Sequence, residues 1–212
     1  SSRQVPVAQA LSYLSTPGLK TVILPQEERP NVLLPAARSG VYLFTHSAPL
    51  AESTIQQLGG QKRGAVLLPD GRRFRLQVVE KKTVQDIIGA VQERGNWTFV
   101  SGLELIGYDW DPQGASLTTY WTFSAPTATG RGEEHQLQTC LQNIEGRKVA
   151  CCNGFGLDER YWQQGLVLKQ WCRFNLSGDP TPGDYELFME FQQSHAPSGT
   201  TETQYIEPYE AR

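Results

Sequence analysis

The sequence is short of several things, and each shortage removes a class of function. Charge of either sign is nearly balanced: 19 Lys and Arg against 22 Asp and Glu leave a formal net charge of -3. A nucleic-acid surface needs clustered cations to displace counterions from phosphates. Two basic pairs, Lys62-Arg63 and Arg72-Arg73, flank a turn and read as solvated hairpin ends, so no nucleic-acid partner is expected. Long apolar runs are also missing. Nothing approaches the roughly 20 residues needed to cross a bilayer, and the opening SSRQVPVAQA lacks a signal-peptide core. No transmembrane segment is expected in this chain.

Histidine is scarce. His46, His135 and His195 stand at no ligand-like spacing from the cysteines, and a vicinal cysteine pair cannot easily supply two arms of one tetrahedron, so no metal site is expected. His46-Ser47 sits in no nucleophile elbow. Gly154 and Gly156 in CCNGFGLDE lack the strand-to-helix setting of a phosphate loop. No catalytic residue and no cofactor is therefore assigned.

What is present describes a folded protein: 212 residues, 39% hydrophobic, 10% aromatic and 19% charged. That length suits two small domains. Residues 5 to 15, with Val7, Leu11 and Leu14 at helical spacing, predict a helix, and residues 20 to 24 a short strand before Pro25. Strands are expected at 31 to 35 and 41 to 45, and a helix from Pro49 to Leu58 ending at Gly59-Gly60. A hairpin follows, 64 to 68 and 73 to 79 around Pro69-Asp70-Gly71. Thr83 then caps a helix whose apolar stripe is Val84, Ile87, Ile88 and Val91, running to Gly95.

From Trp97 onward the pattern becomes almost continuously β. Strands are expected at 97 to 108, 115 to 124, 134 to 143, 148 to 152, 166 to 176 and 184 to 193, with one more possible at 203 to 207. Leu166, Leu168, Cys172, Phe174 and Leu176 share one parity, as do Tyr185, Leu187, Met189 and Phe191. Short alternating strands with no helical stripe between them predict an antiparallel sandwich, immunoglobulin-like or jelly-roll-like. The fold class is thus α+β: a small mixed α/β subdomain over 1–95, an antiparallel β-sandwich over 96–195, and a tail over 196–212.

Cys140, Cys151, Cys152 and Cys172 all fall in that second half. A turn at Glu145-Gly146 would set Cys140 opposite Cys151 on neighbouring strands. Disulfides among the four and free core thiols both fit the pattern. Asp109-Trp110-Asp111 places two carboxylates on one side of a strand end, as a glycosidase or calcium site would. The Pro112-Gln113-Gly114 that follows favours a turn. In the long loop after the vicinal cysteines, Asp158 and Glu159 beside Tyr161 and Trp162 form a candidate sugar-stacking platform, with Trp110 a further aromatic; a Trp162 that plugs the end of the sandwich is the competing reading.

The second half also resembles a known family. GLELIGYDWD (Leu103, Leu105, Gly107, Tyr108), SLTTYWTF (Leu117, Tyr120, Trp121), a Trp162-x-x-Gly165 turn and PTPGDYEL (Pro182, Gly183, Tyr185, Leu187) are similar to the extracytoplasmic β-sandwich that ends many bacterial multi-spanning glycosyltransferases of the dolichyl-phosphate-mannose and aminoarabinose transferase type. Gly40-Val41-Tyr42 and the DGRRF hairpin are similar to the short α/β segment before that sandwich. The membrane helices that hold that family's catalytic acid are absent from this sequence, and Leu137 to Leu141 replaces the family's "FVHL" strand without its histidine. The resemblance therefore implies an accessory extracytoplasmic module that binds a glycan or docks on a membrane-protein partner. An architectural subunit of a larger complex is the alternative, and a carbohydrate hydrolase acting through Asp109, Asp111, Asp158 or Glu159 is a third.

Overall fold

The computed structural model describes residues 31–37, 39–44, 61–67, 69, 71, 73–99, 102–111, 113–123, 135–153, 164–176, 185–193 and 201–206. The helices expected at 5 to 15 and 49 to 58 and the strand at 20 to 24 lie outside them. What is described is mostly antiparallel sheet with very little helix.

Five strands make one sheet, in the order β1 (Asn31–Pro35), β10 (Leu166–Arg173), β7 (Ser116–Phe123), β6 (Leu103–Asp111), β5 (Glu93–Thr98). Four make a second: β12 (Thr201–Ile206), β11 (Tyr185–Gln193), β8 (His135–Asn143), β9 (Lys148–Asn153). The inner faces of the two meet in one core. Leu33, Leu103, Leu105, Leu117, Trp121 and Leu168 of the first pack with Leu137, Leu141, Leu187 and Met189 of the second. The parities expected for 166 to 176 and for Tyr185, Leu187 and Met189 are those of this core, because Leu168, Cys172, Phe174, Leu187 and Met189 lie in it and Leu166, Leu176 and Tyr185 against it; the side chain of Phe191, the fourth residue of the second set, lies outside the described ones.

A third sheet, β2 (Gly40–Phe44), β4 (Arg73–Val79), β3 (Gln61–Leu67), and a short helix α1 (Val84–Ile88) come from the first half. Val79 and Ile87, with Tyr42, Val84, Ile88 and Val91, pack on the outer face of the five-stranded sheet against Val32, Leu34, Ile106, Tyr120 and Val167. That sheet is therefore buried on both faces around Val32, Leu34, Ile106, Tyr120 and Val167, which is why VLL in β1 and LELI in β6 are nearly continuous in apolar character, while Lys169 and Trp171 farther along β10 stay partly open to solvent. β1 stands in the first half of the sequence yet pairs in register with β10, Leu33 opposite Leu168.

Two expected elements come out differently. The helix from Thr83 does carry a capping box, with Asp86 N–H donating to Thr83 Oγ1 and Thr83 N–H to the Asp86 carboxylate. It stops at Ile88 rather than at Gly95, because residues from Glu93 onward pair with β6 as β5. Long-range ladder bonds there outweigh a weak local helical preference. Likewise 97 to 108 is two strands: Gly102, at φ 80°, turns the chain back and donates to Phe99 O at 2.9 Å.

Within β6 a register shift between Leu105 and Gly107 changes the parity, so that Leu103 and Leu105 and then Tyr108 and Trp110 all turn toward the core. Gly107 allows close approach at this point. A Cβ there would stand 2.6 Å from Val91 Cγ2 and 3.0 Å from Glu93 O. Gly107→Ala is expected to cost about 1–3 kcal/mol through forced overpacking, read as a lowered urea midpoint with an unchanged m-value. A neutral result would mean that Val91 and β5 give way freely.

Candidate functional site

All four cysteines are in disulfides. Cys140 and Cys151 are direct cross-strand partners on β8 and β9 and form one bond, with the tight turn at Gly146 (φ 75°) between the strands. Cys152 and Cys172 form the other, which joins β9 of the four-stranded sheet to β10 of the five-stranded sheet. The vicinal pair thus sends one bond along its own sheet and one through the core. Alternation along the strand makes this possible, since neighbouring side chains point to opposite faces.

A cluster of polar and aromatic side chains lies on the outer face of the five-stranded sheet. On β10 the parity that turns Leu168 and Cys172 inward turns Val167, Lys169 and Trp171 outward. Lys169 is the direct cross-strand partner of Tyr120 on β7. Its Nζ lies 5.2 Å from the ring centroid of Tyr120 and 5.2 Å from that of Trp171, a cation held between two aromatic faces. Tyr120 Oη donates to Asp109 Oδ2 at 2.8 Å. The other carboxylate oxygen of Asp109 accepts the Gln92 N–H at 2.8 Å, and Gln92 Oε1 accepts the Trp110 N–H at 3.0 Å. This reciprocal tie clamps the connection after α1 onto β6.

The electrostatics follow from the same contacts. Burial, reinforced by the hydrogen bond to Asp109 and its negative charge, pushes the Tyr120 phenol well above the usual range. Burial pushes the Lys169 ammonium down, Asp109 works against that, and the positive charge of Lys82 adds to it. Asp109 has both oxygens committed to protein donors, an arrangement that suits an orienting group and not a proton donor waiting for a glycosidic oxygen.

Asp111, the second carboxylate of the Asp109-Trp110-Asp111 run, is exposed and accepts the Gln113 N–H at 3.1 Å, closing the turn into β7. Trp110 is half-buried, its ring tilted on Phe174 with centroids 5.8 Å apart. Asp158, Glu159, Tyr161 and Trp162 lie outside the described residues, as do His46 and His195. Among the described residues no group of three or more His, Cys, Asp or Glu side chains is placed to hold a metal ion. No helix among them is long and apolar enough to cross a membrane. The parity of 166 to 176 sets Lys169 and Trp171 apart from the core residues, but nothing local in the sequence brings them together with Tyr120.

No family model matches the chain, and no curated protein matches it. Among solved structures it is similar to the β-glucuronidase of Ruminococcus gnavus in complex with N1-substituted uronic isofagomine, at 12% identity over 68% of this chain and 22% of that one, with a TM-score of 0.23. It is also similar to a Lactobacillus rhamnosus β-glucuronidase, at 16% identity over 67% of this chain and 21% of that one, with a TM-score of 0.20. The chain spans about a fifth of the length of these proteins. Scores this low carry no argument about its activity.

Proposed function

We propose that this chain is a non-catalytic extracytoplasmic accessory module that binds a glycan on the outer face of its five-stranded sheet. The observation that carries the reading is the Lys169 ammonium held between the faces of Tyr120 and Trp171, both Lys169 and Trp171 remaining partly open to solvent. Aromatic faces stack on the apolar faces of sugar rings, and a neighbouring cation adds donors for hydroxyl or carboxylate oxygens. Two disulfides support residence in an oxidising compartment. The resemblance to the terminal sandwich of membrane glycosyltransferases supports the same setting, and the commitment of both Asp109 oxygens counts against hydrolysis at that position.

Docking on a membrane-protein partner is the second reading, and the β8–β9 hairpin favours it. Ile144 at its turn is 83% exposed, and Val149 on the terminal strand of its sheet is 42% exposed.

A glycan array probed with the intact chain, beside a pull-down from native membranes, tests both. Glycan binding weakened at least about tenfold by Trp171→Ala or Lys169→Ala is the expected outcome, in line with loss of one stacking or charge-assisted contact. Capture of a membrane protein, lost in Ile144→Asp with no glycan bound, would favour docking. Neither ligand nor partner would sink both.

A further inference from the structure

The two disulfides leave from adjacent residues of one strand and differ in what governs thiol exchange. Cys152–Cys172 lies against the core between the sheets, with Cys172 buried and Cys152 half-buried. Cys140–Cys151 lies on the opposite, outer face of the four-stranded sheet. There Cys140 is buried at 0% exposure but Cys151 is exposed, on the strand that ends its sheet. Exchange requires a thiolate to reach one sulfur of the bond, so access decides which bond reacts and at which atom.

The two bonds also differ in what they hold. Cys140–Cys151 spans 11 residues of a hairpin already closed by the β8–β9 ladder and by the turn, where Gly146 N–H donates to Asn143 O at 2.8 Å and Asn143 N–H to Arg147 O at 2.9 Å. Side chains on the same outer face add Gln138 Nε2 to Asn153 Oδ1 at 2.8 Å and Lys148 Nζ to Glu190 at 2.7 Å. Loop closure has been met there by other contacts, so opening this bond leaves the strand register supported. Cys152–Cys172 meanwhile keeps β9 fastened to β10.

From this we infer that Cys140–Cys151 is a redox-exchangeable site whose reaction partner is a protein dithiol, while Cys152–Cys172 is structural. A thiolate of the dithiol attacks Cys151 Sγ. The Cys140–Cys151 bond breaks, and the Cys140 sulfur leaves with the electron pair and takes up a proton. The second thiol of the dithiol, its proton released to solvent, then attacks its own partner sulfur in the mixed disulfide. Cys151 leaves as a thiolate and is protonated in turn. The chain's disulfide gains two electrons and two protons, and the dithiol becomes a disulfide.

The test uses the intact oxidised chain mixed with reduced thioredoxin as the dithiol, quenched in acid at intervals, alkylated, and mapped by peptide mass spectrometry. Cys140 and Cys151 are expected to be labelled at least roughly tenfold faster than Cys152 and Cys172, with one thioredoxin oxidised per chain and the far-ultraviolet circular dichroism unchanged. Equal rates, the reverse order, or no labelling without denaturant would overturn the inference. The double variant Cys140→Ser with Cys151→Ser should leave thioredoxin reduced; continued oxidation would place the reactive bond at Cys152–Cys172 and overturn it too.

Discussion

Trp121→Ala should lower the unfolding free energy by about 3–5 kcal/mol, the range for truncating a large buried aromatic. Trp121 is fully buried at the centre of β7, where Leu105 of β6 and Leu168 of β10 flank it in register. Its ring centroid is 5.9 Å from that of Phe99, and its Nε1–H donates to Thr119 Oγ1 at 2.8 Å. Truncation removes transfer free energy, leaves a cavity that core strands held on both sides cannot close, and takes the indole donor from a buried hydroxyl. Urea unfolding followed by tyrosine fluorescence gives the number. Trp121→Phe should recover most of it, since a phenyl ring refills much of the volume. A loss below about 1 kcal/mol would show that the core collapses around the gap, contrary to close packing between the two sheets.

The second large effect is the loss of the bond between the sheets. Replacing Cys152 and Cys172 together by Ala should cost about 3 kcal/mol, the chain-entropy value for a loop near 20 residues, which is the separation here. Both must change, because a single replacement leaves a free thiol in the core beside the second disulfide. The companion variant without Cys140 and Cys151 should cost somewhat less, by about 0.5 kcal/mol, because its separation of 11 residues closes a shorter loop in the unfolded chain than a separation of 20. Non-reducing urea titrations of the two double variants side by side decide the matter. No loss in the variant without Cys152 and Cys172 would mean that the two sheets are held by side-chain packing alone, and a larger loss in the hairpin variant would mean that loop length does not set what each bond contributes.

Several features of the molecule can be read before any coordinates. Leu166, Leu168 and Cys172 announce the inner face of β10, and Leu187 and Met189 that of β11, because a strand repeats every two residues whatever lies beside it. The turn at Gly146 and the placing of Cys140 opposite Cys151 follow from the same local geometry. The stretches GLELIGYDWD and SLTTYWTF, expected to be strands, form β6 and β7, with Leu103, Leu105, Leu117 and Trp121 all buried in the core.

Other features could not be read locally. The stripe Val84, Ile87, Ile88 and Val91 is helical in spacing, yet β5 takes over at Glu93 because β6 offers it a ladder. The candidate aromatic site divides in the same way. Trp110 stands out as a word in the sequence but rests on Phe174, whereas Lys169 and Trp171 sit inside a strand where nothing signals that Tyr120 and Asp109 will meet them.

By itself, then, the sequence determined which residues of β10 and β11 alternate, the turn at Gly146, and that the second half is mostly antiparallel sheet; these depend on backbone periodicity and on residues a few positions apart. Only the tertiary structure decided that β1 crosses into the sheet of the second half, that Cys152 reaches Cys172 on the opposite sheet, and that a lysine comes to lie between two aromatic rings. Each of these is a choice of partner across space, set by which faces must be covered when the sheets close on one core. Strand period fixes which face a side chain occupies, and it carries no information about what will be packed against that face.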